Sequence, residues 1–120
     1  MTKTDAKIFD LENRTLAFAK RVRLFIKNLR RTVSNLEDGK QLVRASGSVG
    51  ANYIEANESL SKKDFIMRTK ICRKEAKECR YWLRLIDTSG DQALEAECKS
   101  LEQETIELAS IFGSILTRSE

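Results

Sequence analysis

Proline and histidine are absent from this chain of 120 residues, and glycine and cysteine are scarce, with five and three copies. Sandwiches and barrels need many turns, which use glycine and proline heavily, so their scarcity favours an all-α fold. Without histidine, a mixed Cys/His zinc site and the usual Cys–His or Ser–His nucleophilic mechanisms are excluded. We therefore expect no enzymatic activity, no catalytic residues, no metal and no cofactor.

Long apolar segments are absent as well. No apolar segment opens the chain and no run of eighteen apolar residues occurs, so the sequence predicts neither secretion nor a membrane span. The three cysteines, Cys72, Cys79 and Cys98, are odd in number and have no paired spacing. We expect reduced thiols that behave as small core hydrophobes in a cytoplasmic protein.

The composition is that of one ordinary domain. Hydrophobic residues make up 41% of the chain and charged residues 33%. A chain of this length buries a core but is too short to be divided. We assign residues 1–120 to a single domain and predict that residues 1–7 form a disordered N-terminus.

Core-type residues recur at alternating steps of three and four in four segments of the chain. The pattern predicts helices near residues 8–33, 37–58, 62–88 and 91–117, with Ser61 and Asp64 in the S-x-x-D arrangement of a helix start. Short connections make sequential helices antiparallel neighbours, so the sequence predicts an antiparallel up-and-down four-helix bundle. The predicted core seams are Leu11, Thr15, Phe18, Val22, Phe25 and Leu29; Leu42, Ala45, Val49, Asn52 and Ala56; Phe65, Thr69, Cys72, Ala76, Cys79, Leu83 and Ile86; and Leu94, Cys98, Leu101, Thr105, Leu108, Phe112 and Ile115.

The stretch RASGSVGANYIEANES, residues 44–59, places two glycines inside the second predicted helix. A phosphate-binding loop would need a preceding strand and a G-x-G-x-x-G or GK[ST] pattern, and neither is present. Helical register continues through Gly47 and Gly50, although each glycine costs about 1 kcal/mol relative to alanine. We infer that small residues let two backbones approach closely here, either within the bundle or between subunits.

Asn52 and Glu55 lie in the same stretch, one turn apart. Asn52 falls on the apolar seam, where an unpaired amide is expensive to bury, so it should form hydrogen bonds. Glu55 is a candidate member of the same network. A structural polar network is favoured over a catalytic Asn/Glu pair, because the sequence places no other titratable group beside them.

Charge is segregated along a chain whose net charge is +4. Seven basic residues and no acid lie between Asn13 and Leu36, nine basic residues accompany three acids from Lys62 to Arg84, and eight acids accompany two basic residues from Asp87 to Glu120. Either opposite charges pair across helices or subunits, or an electropositive surface binds phosphate backbones. The candidate nucleic-acid-binding residues are Arg21, Arg23, Lys27, Arg30, Arg31, Lys70, Lys74 and Lys77.

The run QLVRASGSVGANYIEANES, followed by SKKDF and KEAKECRYWLRLI, resembles the four helix bundle protein family, whose founding members are encoded in intervening sequences of bacterial 23S ribosomal RNA genes. The family motif Q-L-x-R-A-x-x-S-V-x-x-N-x-x-E matches from Gln41 to Glu55. Phe65 and Glu78 fall where the next helix of the family has a recurrent Phe and Glu. The resemblance spans residues 10–117, and its structural motif comprises Arg44, Ser48, Asn52, Glu55 and Glu78.

The resemblance implies a homo-oligomer without an established enzymatic activity. The family is similar in fold to the accessory variability protein of diversity-generating retroelements, a ring-forming homopentamer that binds nucleic acid and a reverse transcriptase. A pentamer is therefore expected from the resemblance.

Two hypotheses for function remain open. The first is an oligomeric scaffold that binds RNA or DNA through Lys and Arg of the first and third helices. The second is a protein-binding or purely structural homo-oligomer, in which the basic face meets the acidic fourth helix of a neighbour. The first hypothesis predicts salt-sensitive RNA binding and the second predicts salt-sensitive oligomer size.

Overall fold

Four α-helices account for most of the chain in a computed structural model, which describes residues 2–120. They are α1 (Lys3–Lys27), α2 (Val33–Asn57), α3 (Lys62–Leu85) and α4 (Gln92–Ser119), and no strand occurs within the described range. The all-α prediction is confirmed, as is the helical path through Gly47 and Gly50. The sequence predicted a disordered N-terminus over residues 1–7. Met1 lies outside the described residues, and α1 already begins at Lys3.

The connection between α1 and α2 departs most from the prediction. α1 ends at Lys27 instead of near residue 33, and α2 begins at Val33 instead of near residue 37. The Asn28 side chain donates a 2.9 Å hydrogen bond to the Leu24 carbonyl and so satisfies one of the carbonyls that the end of α1 leaves free. Thr32 caps α2 by accepting a hydrogen bond from a main-chain N–H of its first turn.

The starts of α3 and α4 follow local capping chemistry. The Ser61 hydroxyl accepts a 3.1 Å hydrogen bond from the Asp64 N–H, which confirms the predicted helix start. Asp91 caps α4 in the same way. Ser89 and Gly90 precede it with φ angles of 55° and 76°, so two consecutive residues in the left-handed region turn the chain from α3 into α4.

The helices form a four-cornered bundle that measures 45 × 24 × 19 Å. α1 and α3 each pack against α2 and α4. In the diagonal pairs α1–α3 and α2–α4, no Cα atoms approach within 8 Å over residues 2–120, although the rings of Tyr53 in α2 and Phe112 in α4 touch across the core at a centroid distance of 5.8 Å. Sequential helices are joined by short connections and run antiparallel, so the predicted up-and-down four-helix bundle is confirmed. The α1–α2 side of the bundle therefore lies opposite the α3–α4 side.

The core is apolar and includes all three cysteines. Cys72 and Cys79 are fully buried and Cys98 is nearly so, which confirms their predicted core positions. Burial raises the pKa of the Cys72 and Cys79 thiols to about 12 and that of Cys98 to about 11. All three thiols are consequently neutral and unreactive at physiological pH.

One core position in each of α2 and α4 lies one residue further along the chain than predicted, while Ala56 of α2 is buried as predicted. Tyr53 is buried where the sequence predicted Asn52, and Leu116 is buried where it predicted Ile115. A straight α-helix drifts by about 20° per heptad from the regular spacing of alternating three- and four-residue steps. The drift moves Asn52 to a half-buried position at the edge of the α2–α3 interface.

The glycines of α2 have different surroundings. A Cβ atom at Gly50 would lie 2.9 Å from the Thr15 hydroxyl oxygen and 3.8 Å from the Thr15 main-chain carbon, so only glycine lets α1 pack this closely. A Cβ atom at Gly47 would meet one atom, a terminal guanidinium nitrogen of Arg23 at 3.3 Å. The close approach inferred from the sequence is thus confirmed within the bundle, at Gly50.

Asn35, a residue that the sequence analysis did not single out, joins the two connections at one end of the bundle. Its side chain is buried and donates to the carbonyls of Arg30 at 3.0 Å and Asp87 at 2.9 Å. Its amide oxygen accepts from the Asp87 N–H at 3.0 Å. One side chain therefore fixes the α1–α2 connection to the chain that follows α3.

Candidate nucleic-acid interface

Two arginines of α1 are paired with acids of α4. Arg14 bonds to Glu104 at 2.7 Å and to Glu107 at 3.0 Å, and Arg21 bonds to Glu97 at 2.7 Å. The hydrogen bond to Glu104 raises the pKa of the Arg14 guanidinium above its ordinary value. A hydrogen bond from Gln103 and, as the next largest cause, one from Arg14 lower the pKa of Glu107. Charge pairing across helices therefore engages Arg21, one of the candidate nucleic-acid-binding residues.

The remaining candidates of the first predicted helix line a groove of about 500 Å³ between the end of α1 and the start of α2. Arg30 and Arg31 lie in the connection that follows α1, because α1 ends at Lys27. Arg23, Lys27, Arg30 and Arg31 are all exposed there. Arg23 donates to the Ala19 carbonyl at 3.1 Å. Apolar side chains share the groove with these charges, namely Ile26, Leu36 and Val43. The surface is therefore basic and apolar together.

Most of the basic residues of α3 lie on one face of the helix, here called the α3 basic face, whereas Arg68 points toward α2 and donates to Asn52. At about 100° per residue they occupy roughly one third of the circumference, on the outer side and the side toward α4, while the acids Glu75 and Glu78 point toward α2. Among the side chains that the structure describes, which exclude residues 1, 3–5 and 9, no carboxylate lies at salt-bridge distance from any member of the face. The α3 basic face comprises Lys63, Lys70, Arg73, Lys74, Lys77, Arg80 and Arg84.

A groove of about 840 Å³ runs between the α3 basic face and the C-terminal half of α4. Arg73, Lys77 and Arg80 form its α3 side, and Arg118 lies on its α4 side. The remaining lining residues are small or uncharged, and a Cβ atom at Gly113 would find open space. None of the residues that line the groove is acidic. The groove is consequently electropositive and accessible along its length.

The sequence analysis missed Arg73, Arg80 and Arg118 as candidates. Arg73 and Arg80 flank the candidate Lys77 at helical spacing, and this spacing was available in the sequence. A second signal was the charge of α4, since Glu107 and Glu120 are the only acids after Glu104. Together these signals place cations on α3 opposite a part of α4 that offers them few carboxylates.

The candidates of α1 and α3 do not form one surface. Arg23, Lys27, Arg30 and Arg31 lie on the α1–α2 side of the bundle, and Arg73, Lys77 and Arg80 line the α3–α4 side. These sides are opposite because α1 and α3, like α2 and α4, occupy diagonal corners of the bundle. A single nucleic-acid strand that lies flat on the bundle contacts one set or the other.

The motif residues form two polar contacts between α2 and α3. Arg44 bonds to Glu78 and lies 3.6 Å from a carboxylate oxygen of the buried Glu75. The Trp82 indole N–H donates to Glu78 at 3.2 Å. These contacts tie an exposed arginine to a half-buried carboxylate and an aromatic ring, which stabilises the helix interface.

Asn52 forms the second contact. Its amide N–H group donates to the carbonyl and the hydroxyl of Ser48, both at 2.9 Å, and its oxygen accepts from Arg68 at 3.2 Å. Glu55 is exposed, and its carboxylate takes no part in this network. The two side chains are thus separate, which favours a structural role for Asn52.

Over the described part of the chain, no three or more Cys, Asp or Glu side chains are grouped so as to hold a metal ion. No helix in that part is long and apolar enough to cross a membrane.

The fold and the segregated charge define this chain as an antiparallel four-helix bundle with an exposed basic helix face. Residues 9–114 match the family of the 23S rRNA-intervening sequence protein, and the chain belongs to that family. The resemblance noted from the sequence is thereby confirmed.

A solved relative supports the same assignment. The chain is similar to a crystal structure from Bacteroides thetaiotaomicron, that of a protein with unknown function from the S23 ribosomal protein family. The two chains share 29% sequence identity with a TM-score of 0.77, over 92% of this chain and 98% of the other. No curated protein sequence matches the chain significantly.

Proposed function

We propose that this protein is a non-enzymatic homo-oligomer that binds RNA or DNA through its phosphate groups, using the α3 basic face. The observation that carries the proposal is a contrast between two helices. Arginines of α1 that point toward α4 form salt bridges with carboxylates of α4. The cations of the α3 basic face have no carboxylate at salt-bridge distance among the side chains that the structure describes, and none lines the groove beside them. Exposed cations that displace counterions from a phosphate backbone favour binding with little sequence preference.

The groove beside this face supports the same ligand. Its α4 wall includes the small residues Ala109, Ser110, Gly113, Ser114 and Thr117 and contains no negative charge. A phosphate backbone can therefore approach the cations of α3 without being repelled by α4. Small hydroxyl side chains also offer hydrogen bonds to phosphate oxygens.

Assembly into a homo-oligomer, a pentamer by resemblance, belongs to the same proposal. Leu16 and Leu24 are more than half exposed on the outer side of α1, and such apolar side chains suit contact with another subunit. A ring repeats the α3 basic face in every subunit, so that weak phosphate contacts reinforce one another. Three free thiols fit the reducing cytoplasm, in which we place the protein.

Charge reversal on α3 tests the proposal. We expect Arg73→Glu/Lys77→Glu/Arg80→Glu to weaken binding to an unspecific single-stranded RNA and to reduce the salt slope by about two, since each phosphate contact on a single strand contributes roughly 0.7. Fluorescence anisotropy of labelled RNA, measured over a range of salt concentrations, gives both quantities. Circular dichroism checks that helical content is unchanged.

The matched control reverses three charges on the opposite side, in Arg23→Glu/Lys27→Glu/Arg30→Glu. It changes net charge by the same amount, and we expect a smaller loss of affinity and of salt slope. Equal losses in the two variants would refute the assignment to α3. Wild-type protein that shows no RNA affinity even at low salt would refute nucleic-acid binding altogether.

The second candidate function is that of a protein-binding or purely structural homo-oligomer. The α1–α2 groove favours it, because Ile26, Leu36 and Val43 lie among the cations there. Mixed apolar and basic surfaces are typical of protein interfaces. Light scattering on the control variant Arg23→Glu/Lys27→Glu/Arg30→Glu tests this function. A smaller particle with unchanged RNA affinity identifies the α1–α2 groove as an assembly surface.

A further inference from the structure

Tyr81 is an exposed aromatic residue near the C-terminal end of α3. More than half of its surface, 56%, is accessible. Its ring lies 5.1 Å from that of Trp82, measured between centroids, at an interplanar angle of 72°. This edge-to-face contact covers part of the Tyr81 ring and leaves much of the remainder exposed to solvent.

The neighbouring ring is held in place by contacts that reach into the bundle. Trp82 packs against the hydrophobic core and donates its indole N–H to Glu78 at 3.2 Å. Glu78 is bonded in turn to Arg44 of α2. The ring beside Tyr81 is therefore fixed, and Tyr81 has a rigid partner rather than another mobile side chain.

Tyr81 lies within the α3 basic face. It follows Lys77 by one turn and Lys74 by two turns, which places it about 40° and 20° around the helix from them. Arg84 lies one further turn along the same face. A nucleic-acid backbone that follows these cations passes the open side of the Tyr81 ring.

We propose that Tyr81 stacks on an unpaired base, so that the ligand of the α3 basic face is single-stranded nucleic acid rather than a duplex. The inference rests on the proposed function, because stacking here presupposes a backbone held by α3. Single strands are bound by surfaces that combine cations with aromatic rings, since every base has a π-face. In a duplex the bases are already stacked and paired, so the ring has nothing to engage.

Trp82 is the single tryptophan of the chain, so its fluorescence reports on this site. We expect a homopolymeric single-stranded RNA to quench Trp82 emission as it binds, and the duplex of the same strand with its complement to leave the emission unchanged. Tyr81→Ala should lower the affinity for the single strand by about five- to a hundredfold. Tyr81→Phe should retain it, because the aromatic face remains.

A neighbouring exposed residue supplies the control. Leu85→Ala removes an apolar side chain of 47% exposure one turn beyond Tyr81, and we expect it to leave single-strand affinity unchanged. Tyr81→Ala should bind the duplex with the affinity and the salt slope of wild type, because the cations of the α3 basic face are intact in this variant.

The results separate this inference from the proposed function. Equal binding of single strand and duplex, with no effect of Tyr81→Ala, overturns the stacking role and leaves the α3 phosphate surface standing. A Tyr81→Ala variant with normal single-strand affinity but a changed particle size in light scattering identifies a protein contact instead and also overturns it. Wild type that binds neither form overturns both proposals.

Discussion

Replacing Asn35 with alanine should destabilise the bundle more than any other single polar substitution between its helices. The side chain is 4% exposed and makes three hydrogen bonds of 2.9–3.0 Å, to Arg30 and Asp87. At about 0.5–1.5 kcal/mol net for each bond, the loss amounts to about 1.5–4.5 kcal/mol. For a domain of this size, that lowers the melting temperature by roughly 5–20 °C.

Urea unfolding followed by far-ultraviolet circular dichroism measures this loss, and Asn52→Ala is the matched control. Asn52 is half-buried, and its partners are Ser48 of its own helix and Arg68. We expect about 1–3 kcal/mol for Asn52→Ala, less than for Asn35→Ala. An unchanged midpoint for Asn35→Ala, or a larger loss for Asn52→Ala, would show that the two connections are not held together by Asn35.

Three further predictions concern the glycines of α2 and the buried thiols. Gly50→Ala should destabilise the fold by about 1–3 kcal/mol, because the added Cβ atom meets Thr15. Gly47→Ala should stabilise the fold by about 0.5–1 kcal/mol, because the exposed Arg23 side chain can move away from the added Cβ atom. Equal melting temperatures for the two variants would contradict this prediction. The three thiols should be unreactive toward a thiol reagent in the native state at neutral pH and react only on unfolding. Because their pKa values are raised to about 11 and 12 by folding, the native state binds more protons than the unfolded state above about pH 9, so stability should fall as pH rises from 9 toward 12. Urea midpoints that stay constant over that range would count against the burial of the thiols.

The number of helices and their order could be predicted because the apolar periodicity is sustained over each of them. The end of α1 could not be predicted, because the connection after it is held by Asn35. This side chain binds partners five and fifty-two residues away along the chain, and no local sequence pattern contains both. The heptad steps also placed Asn52 in the core, where the slow drift of a straight helix puts Tyr53.

The candidate site was predictable in part. The clustering of cations on the third helix is visible in the sequence, but which cations are neutralised depends on which helices are neighbours. Arg21 was a candidate from its charge alone, and the α1–α4 contact pairs it with Glu97. Arg73 and Arg80 became visible as candidates once their position opposite the neutral end of α4 was known.

The separation of the two basic grooves has a consequence for how the molecule responds to ionic strength. The bundle is 19–24 Å across, and the Debye length is about 8 Å in physiological salt but about 30 Å at 0.01 M. In physiological salt, the potential on the α1–α2 side is therefore screened from the α3–α4 side, and a charged ligand near one side responds to the charge of that side alone. In dilute buffer the two fields merge, so a ligand approaching either side responds to the charge of the whole molecule.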